Sequence, residues 1–117
     1  MNAPINELQR LVVRAAAEKQ AFDILILDLR NRSDLTDSFI ICSGKSRVQV
    51  QAIADSIQEH VAKSSQKGYA VEGYSSGQWV VVDLADVIVH VFYEETRRQY
   101  DLERLWGDVP VIDAVGL

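Results

Sequence analysis

The sequence has a single cysteine, Cys42, among its 117 residues. An internal disulfide is therefore impossible, which fits a reducing compartment. No apolar run reaches the roughly 18 residues that a membrane helix requires, and the N-terminal stretch lacks the apolar segment of a secretion signal. From these absences we expect a cytoplasmic protein with no membrane segment, in which Cys42 is a buried and unreactive thiol.

Basic residues are also in the minority. The chain has 12 Lys and Arg against 17 Asp and Glu, which gives a formal net charge of -5. Proteins that bind nucleic acid directly use lysine and arginine to neutralise phosphates. The balance therefore predicts little or no direct nucleic-acid binding, and it favours a basic protein as the partner.

A complete phosphate-binding loop is missing. The segment Ser43–Ser46 reads SGKS, like the end of such a loop, but Phe39 stands where its first glycine is required. The pattern formed by Ser46 and Gln49 instead predicts a capping box at the start of a helix. A nucleotide-binding or nucleotidyltransferase-type enzyme therefore remains only the alternative hypothesis.

Metal and acid-base motifs are missing as well. Asp83, Asp86 and His90 have no third partner at a dependable spacing, and aspartates beside a hairpin turn are ordinary turn formers. His60 lacks a zinc-binding partner of the HExxH type. The sequence predicts no catalytic residue, no cofactor and no metal.

The most strongly patterned stretch is QWVVVDLADVIVHVF, residues 78–92. Its runs of β-branched residues predict a β-hairpin that turns at Ala85 and Asp86. Alternation along the strands gives each one an all-aliphatic face and a mixed face, as in a sheet with one core side and one partly wet side. The mixed face carries Trp79, which fits either a core residue or an interface residue.

Periodicity and turn residues predict the rest of the fold. A first helix, capped by Asn2 or Asn6, runs to about Lys19, and the last helix ends at Gly107. The order α-β-β-α-β-β-β-α indicates an α/β (α+β) protein with a mixed β-sheet and flanking helices. We expect one domain over residues 1–107 and a loosely packed C-terminal tail over residues 108–117. The elements between are predicted as strands at 22–29, 39–43 and 69–72 and helices at 47–66 and from Glu94.

Three segments resemble the Iojap/ribosomal silencing factor family: SDLTDSFIICSGKSRVQVQAIADSI, EGYSSGQWVVVDLADVIVHVF and YDLERLW. They occur in the family's order and together cover roughly residues 22–110. Ser38 and Ala85 depart from the family pattern, which usually has an aromatic residue and a glycine there. The resemblance implies a nucleotidyltransferase-like topology without that activity. It also implies a translational repressor that binds the L-fourteen protein of the large ribosomal subunit and blocks joining of the small subunit when nutrients are scarce.

The resemblance and the residue pattern together suggest which side chains bind the partner. Trp79 is predicted as an apolar anchor with Val81 beside it, and Asp83 is expected to meet basic groups. The other candidates are a second carboxylate at Glu94, a rim contact at Arg97, and His90 as a residue that orients the surface. The apolar sheet face or an exposed hairpin edge also allows a homodimer when the protein is free.

Overall fold

The computed structural model describes residues 5–66 and 68–114. A six-stranded mixed sheet has the strand order β3-β4-β5-β2-β1-β6, with β2 and β5 parallel and every other neighbouring pair antiparallel. The elements in chain order are α1 (Glu7–Glu18), β1 (Phe22–Asp28), β2 (Ser38–Gly44), α2 (Arg47–Ala62), β3 (Ala70–Glu72), β4 (Trp79–Asp83), β5 (Val87–Tyr93), α3 (Glu94–Tyr100), α4 (Leu102–Leu105) and β6 (Val111–Asp113).

Helix α1 begins at a complete capping box. The Asn6 side chain accepts from the Gln9 amide at 2.8 Å, and the Gln9 side chain accepts from the Asn6 amide at 3.0 Å. These two bonds satisfy amides that have no partner inside the helix. Asn6 is therefore the cap, whereas the other predicted cap, Asn2, lies outside the described residues.

Helix α2 begins as predicted at Ser46, whose side chain accepts from the Gln49 amide at 3.0 Å. The Gln49 side chain accepts from the Lys45 amide at 2.6 Å instead of reaching back to Ser46. The helix ends at Ala62, about four residues before the predicted end. The Ser64 hydroxyl bonds the carbonyl of Val61 at 2.7 Å, a local competition that ends the helical hydrogen-bond pattern.

The aliphatic face of the hairpin lies in the main core. Its residues are at most 1% exposed and pack with the buried stripes of α1 and α2. This outcome confirms the predicted hairpin and its division into two faces. The buried residues of this face are Val80, Val82, Leu84, Val87, Val89 and Val91.

The C-terminal part differs from the sequence prediction. The single helix predicted from Glu94 to Gly107 is broken at Asp101, which has a φ of 49° and separates α3 from α4. Residues 108–114 are not a loose tail, because β6 pairs with β1 and Val109 and Ala114 are buried. A three-residue strand is too short to show alternation. Residues 115–117 lie outside the described residues, and the implied nucleotidyltransferase-like topology stays a prediction.

Candidate protein-docking face

The second face of the sheet is covered only in part. Leu102 and Trp106, at the C-terminal end of the chain, pack over a small core that includes Leu27, Ile41 and Phe92. Beside that cover, four half-buried apolar side chains surround the buried His90, and one of them, Phe39, meets Trp106 edge-on at a centroid distance of 5.8 Å. We call this group the open face, and its members are Phe39, Trp79, Val81, Ile88 and His90.

Strand register places these five residues together. Val81 of β4 pairs with His90 of β5, and Ile88 of β5 pairs with Phe39 of β2. Trp79 pairs with Phe92, one step further along the same face. Cross-strand partners have neighbouring Cβ atoms, so the group forms one continuous surface. The mixed face predicted from alternation is therefore present, although no local pattern predicts that Phe39 joins it.

Trp79 is half-buried at one margin of the open face. Its ring centroid lies 4.8 Å from that of Phe92 and 4.9 Å from that of Tyr100, so the indole packs on both the sheet and α3. The indole Nε1 donates to Nδ1 of His90 at 3.1 Å. These contacts hold the ring in one orientation while part of it stays accessible.

The turn before Trp79 requires glycine. Gly73 has a φ of 79°, and a Cβ there would lie 2.2 Å from the main-chain oxygen of Trp79. Gly77 has a φ of 65°, and a Cβ there would lie 2.8 Å from the main-chain oxygen of Arg47. A side chain at either position therefore meets both left-handed backbone strain and a backbone clash. The two glycines allow the tight approach that positions the start of β4.

His90 is only 7% exposed, so the structure makes it a packed part of the face. The centroid of its ring lies 4.5 Å from that of Phe39 in an edge-on arrangement. Its Nδ1 accepts the hydrogen bond from Trp79 described above. Burial lowers the pKa of His90 to about 4, because the charged form loses its hydration. The imidazole is therefore neutral at pH 7.

Acidic residues border the open face at the β3 edge. Asp83 is exposed, and its carboxylate accepts from the Ala85 amide at 2.9 Å in the hairpin turn. Glu72 of β3 is also exposed and pairs with Val81. Glu72 is a border residue that the sequence reasoning missed, since a three-residue edge strand shows no clear pattern.

Glu94 lies far from Asp83 and outside the open face. Asp83 pairs with Ile88 near the start of β5, whereas Glu94 follows the end of that strand, roughly 20 Å further along. Glu94 lines a cleft of about 480 Å³ together with Arg97, Arg98 and other side chains. The two predicted carboxylates are therefore not brought together.

Arg97 was predicted as a rim contact, and the structure corrects this. The residue is only 8% exposed. Its guanidinium donates to the main-chain oxygen of Asp23 at 2.7 Å, to the Ser43 hydroxyl at 2.8 Å and to the Glu103 carboxylate at 3.2 Å. Arg97 thus joins α3 to β1, β2 and α4. The helical position and charge of an arginine do not reveal such long-range partners in a sequence.

Two exposed apolar residues extend the surface beyond the open face. Tyr100 at the end of α3 is 55% exposed and packs against Trp79 with the two rings tilted by 51°. Leu105 at the end of α4 is 75% exposed and precedes Trp106. The single helix predicted from Glu94 to Gly107 is divided at Asp101, so these two residues lie on different helices.

The SGKS segment has structural roles here. The Ser43 hydroxyl bonds Arg97, Ser46 caps α2, and a Cβ on Gly44 would lie 3.1 Å from a Val50 methyl group. Among residues 5–66 and 68–114, three or more His, Cys, Asp or Glu side chains nowhere gather in a metal-binding arrangement. Within those same ranges, every helix is too short or too polar to span a bilayer.

Comparison with known proteins adds the identity of the family. The family model described as "Ribosomal silencing factor during starvation" matches residues 2–117. The chain belongs to this ribosomal silencing factor family. The ribosomal silencing factor RsfS of Bacillus subtilis is 44% identical over 111 residues, which cover 93% of this chain and 94% of that protein. The family resemblance noted from the three sequence segments is thereby confirmed.

Two further relatives of this ribosomal silencing factor are informative. A crystal structure from Chromobacterium violaceum superposes with a TM-score of 0.85 at 36% identity, covering 97% of this chain and 95% of that one. A mouse protein named "Mitochondrial assembly of ribosomal large subunit protein 1" is 28% identical over 99 residues, covering 82% of this chain and 43% of that protein. The structural likeness confirms the mixed α/β fold class.

Proposed function

We propose that this ribosomal silencing factor docks its open face on a basic protein of the large ribosomal subunit, namely the L-fourteen protein on the inter-subunit side. A protein bound there sterically blocks joining of the small subunit and so represses translation when nutrients are limiting. The action takes place in the cytoplasm and involves no chemical step. The observation that carries the proposal is the open face itself, an apolar patch with an acidic border.

The open face has the physical properties of a docking surface. Interface hot spots are enriched in tryptophan and lie in patches from which neighbouring contacts exclude water. Trp79 is already held by Phe92, Tyr100 and His90, so binding costs little of its side-chain entropy. Val81 supplies an adjoining half-buried aliphatic contact.

The acidic border favours a basic partner. Asp83 and Glu72 are both exposed beside the apolar patch, and the whole chain carries a net charge of -5. Charges of this kind raise association rates with an oppositely charged surface more than they raise affinity. Glu94 is a proposed second contact that a partner reaches only if the interface continues past the end of β5. The mouse relative's name refers to the large ribosomal subunit, which agrees with the proposed target.

A calorimetric titration with the isolated L-fourteen protein tests the docking surface. Replacing Trp79 with alanine is expected to weaken binding by about 2 kcal/mol or more, equivalent to about a thirtyfold rise in Kd. Tyr69→Ala is the matched control, because Tyr69 is a 41% exposed aromatic residue beside α2, on the other side of the sheet. Equal affinities for wild type and Trp79→Ala would remove the open face from the interface.

The border charges require a separate kinetic test. Asp83→Asn keeps the oxygen that accepts from the Ala85 amide, so the hairpin turn is preserved. We expect Asp83→Asn to slow association with the partner and to reduce the dependence of the rate on salt, with a smaller change in dissociation. An unchanged association rate and salt slope would show that Asp83 does not face the partner.

The same open face offers an apolar surface for a homodimer in the absence of the ribosome. Such a dimer would compete with ribosome docking, because both use Trp79. Sedimentation equilibrium of the free protein tests this state, and Trp79→Ala is expected to shift the mass toward that of the monomer.

A further inference from the structure

The hydrogen bond between Trp79 and His90 fixes the position of the imidazole proton. A tryptophan Nε1 is only a donor, so Nδ1 of His90 must be the acceptor over their 3.1 Å separation. A neutral imidazole has one protonated nitrogen, and the proton therefore lies on Nε2. Burial keeps the ring neutral by lowering the pKa of His90 to about 4.

The protonated Nε2 is buried without a hydrogen-bond acceptor among the residues that the structure describes. The nearest aromatic ring is that of Phe39, whose centroid lies 4.5 Å from the centroid of the imidazole. A contact between an N–H and an aromatic ring is much weaker than a hydrogen bond to oxygen. The free protein therefore carries the free-energy cost of an unmade hydrogen bond in the middle of its open face.

The surroundings of His90 determine which acceptor suits it. Nε2 is covered in the free protein, and the half-buried rings of Phe39 and Trp79 lie beside it, so a docked protein reaches Nε2 only by displacing one of them. The open face contains no lysine or arginine, and the ring itself is neutral. A carboxylate placed there would lose its hydration without gaining a counter-charge. A neutral oxygen, from a main-chain carbonyl or a hydroxyl group, loses much less.

We propose that His90 is a specificity-determining residue of the docking surface and donates from Nε2 to a neutral oxygen of the docked protein. This inference depends on the proposed function, since it requires a protein on the open face. It assigns His90 a direct contact, where the sequence suggested only an orienting role. A partner that presents an apolar group at this point leaves the donor unpaired and binds less tightly.

Two substitutions separate the donor at Nε2 from the acceptor at Nδ1. His90→Asn places an amide near the Nδ1 position, which retains an acceptor for Trp79 but removes the distal donor. His90→Gln places its amide near the Nε2 position, which retains a distal donor but removes the acceptor for Trp79. Isothermal titration with the L-fourteen protein compares both variants with wild type, and thermal unfolding verifies that each is folded.

The proposal predicts that His90→Asn binds about tenfold more weakly than wild type, whereas His90→Gln stays within about threefold. The reverse order would overturn it, because His90 would then act only by holding Trp79. Equal affinities for the two variants, whether both as tight as wild type or both weakened, would also overturn it. If Trp79→Ala weakens binding while neither His90 variant does, this inference fails and the docking function stands. If wild type does not bind, the docking function itself fails.

Discussion

Arg97 gives the sharpest test of the packing between the C-terminal helices and the sheet. The substitution Arg97→Met keeps most of the apolar stem and removes the guanidinium. Asp23, Ser43 and Glu103 then each lose a hydrogen bond. The two bonds to neutral groups contribute about 1.5 kcal/mol each, because the donor is charged. The ion pair with Glu103 contributes about another 1 kcal/mol, because the Glu103 side chain is 30% exposed and partly screened by water.

The expected loss is therefore about 4 kcal/mol in the free energy of unfolding, measured by urea denaturation. In a chain of this length the corresponding fall in Tm is on the order of 10 °C. Arg98→Met is the matched control, since Arg98 is the next residue of α3 and is exposed. We expect that control to remain within about 0.5 kcal/mol of wild type. A loss below about 1 kcal/mol for Arg97→Met would refute the assignment of Arg97 as a structural link.

Two further predictions concern the hairpin. The contribution of His90 to the free energy of unfolding should fall by about 2.5 kcal/mol between pH 7 and pH 4.5. In the unfolded chain, His90 takes up a proton near its ordinary pKa of 6.5. In the folded protein, burial lowers the pKa of His90 to about 4, so the ring stays largely neutral over this range. Urea unfolding of wild type and His90→Phe at both pH values isolates this contribution. An equal fall in the free energy of unfolding for the two proteins would contradict it. Ala85→Gly should raise the free energy of unfolding by about 1 kcal/mol, because Ala85 has a φ of 71° that glycine adopts without strain. An equal or lower midpoint in urea would count against strain at that turn.

The hairpin and its two faces were predictable because alternation alone divides Val80 from Val81 and Val89 from His90. The capping of α1 and α2 was equally accessible, since Asn6 and Ser46 stand three residues before a glutamine. Periodicity and caps are local properties, and a single sequence displays them directly.

The rest of the site depends on contacts between distant parts of the chain. Phe39 reaches the open face only because β2 pairs in parallel with β5. Arg97 is buried only because its partners come from β1, β2 and α4. The short strand β6 is held by pairing with β1 and by the burial of Val109. No local sequence pattern predicts any of these long-range contacts.

We propose that docking of the open face keeps the ribosomal subunits apart. Sucrose-gradient sedimentation of purified large and small subunits, with wild type or Trp79→Ala added at equal concentration, is the decisive test. We expect wild type to migrate with the large subunit and to reduce the joined-ribosome peak, and we expect Trp79→Ala to do neither. An undiminished joined-ribosome peak with wild type, or an equal reduction by Trp79→Ala, would contradict it.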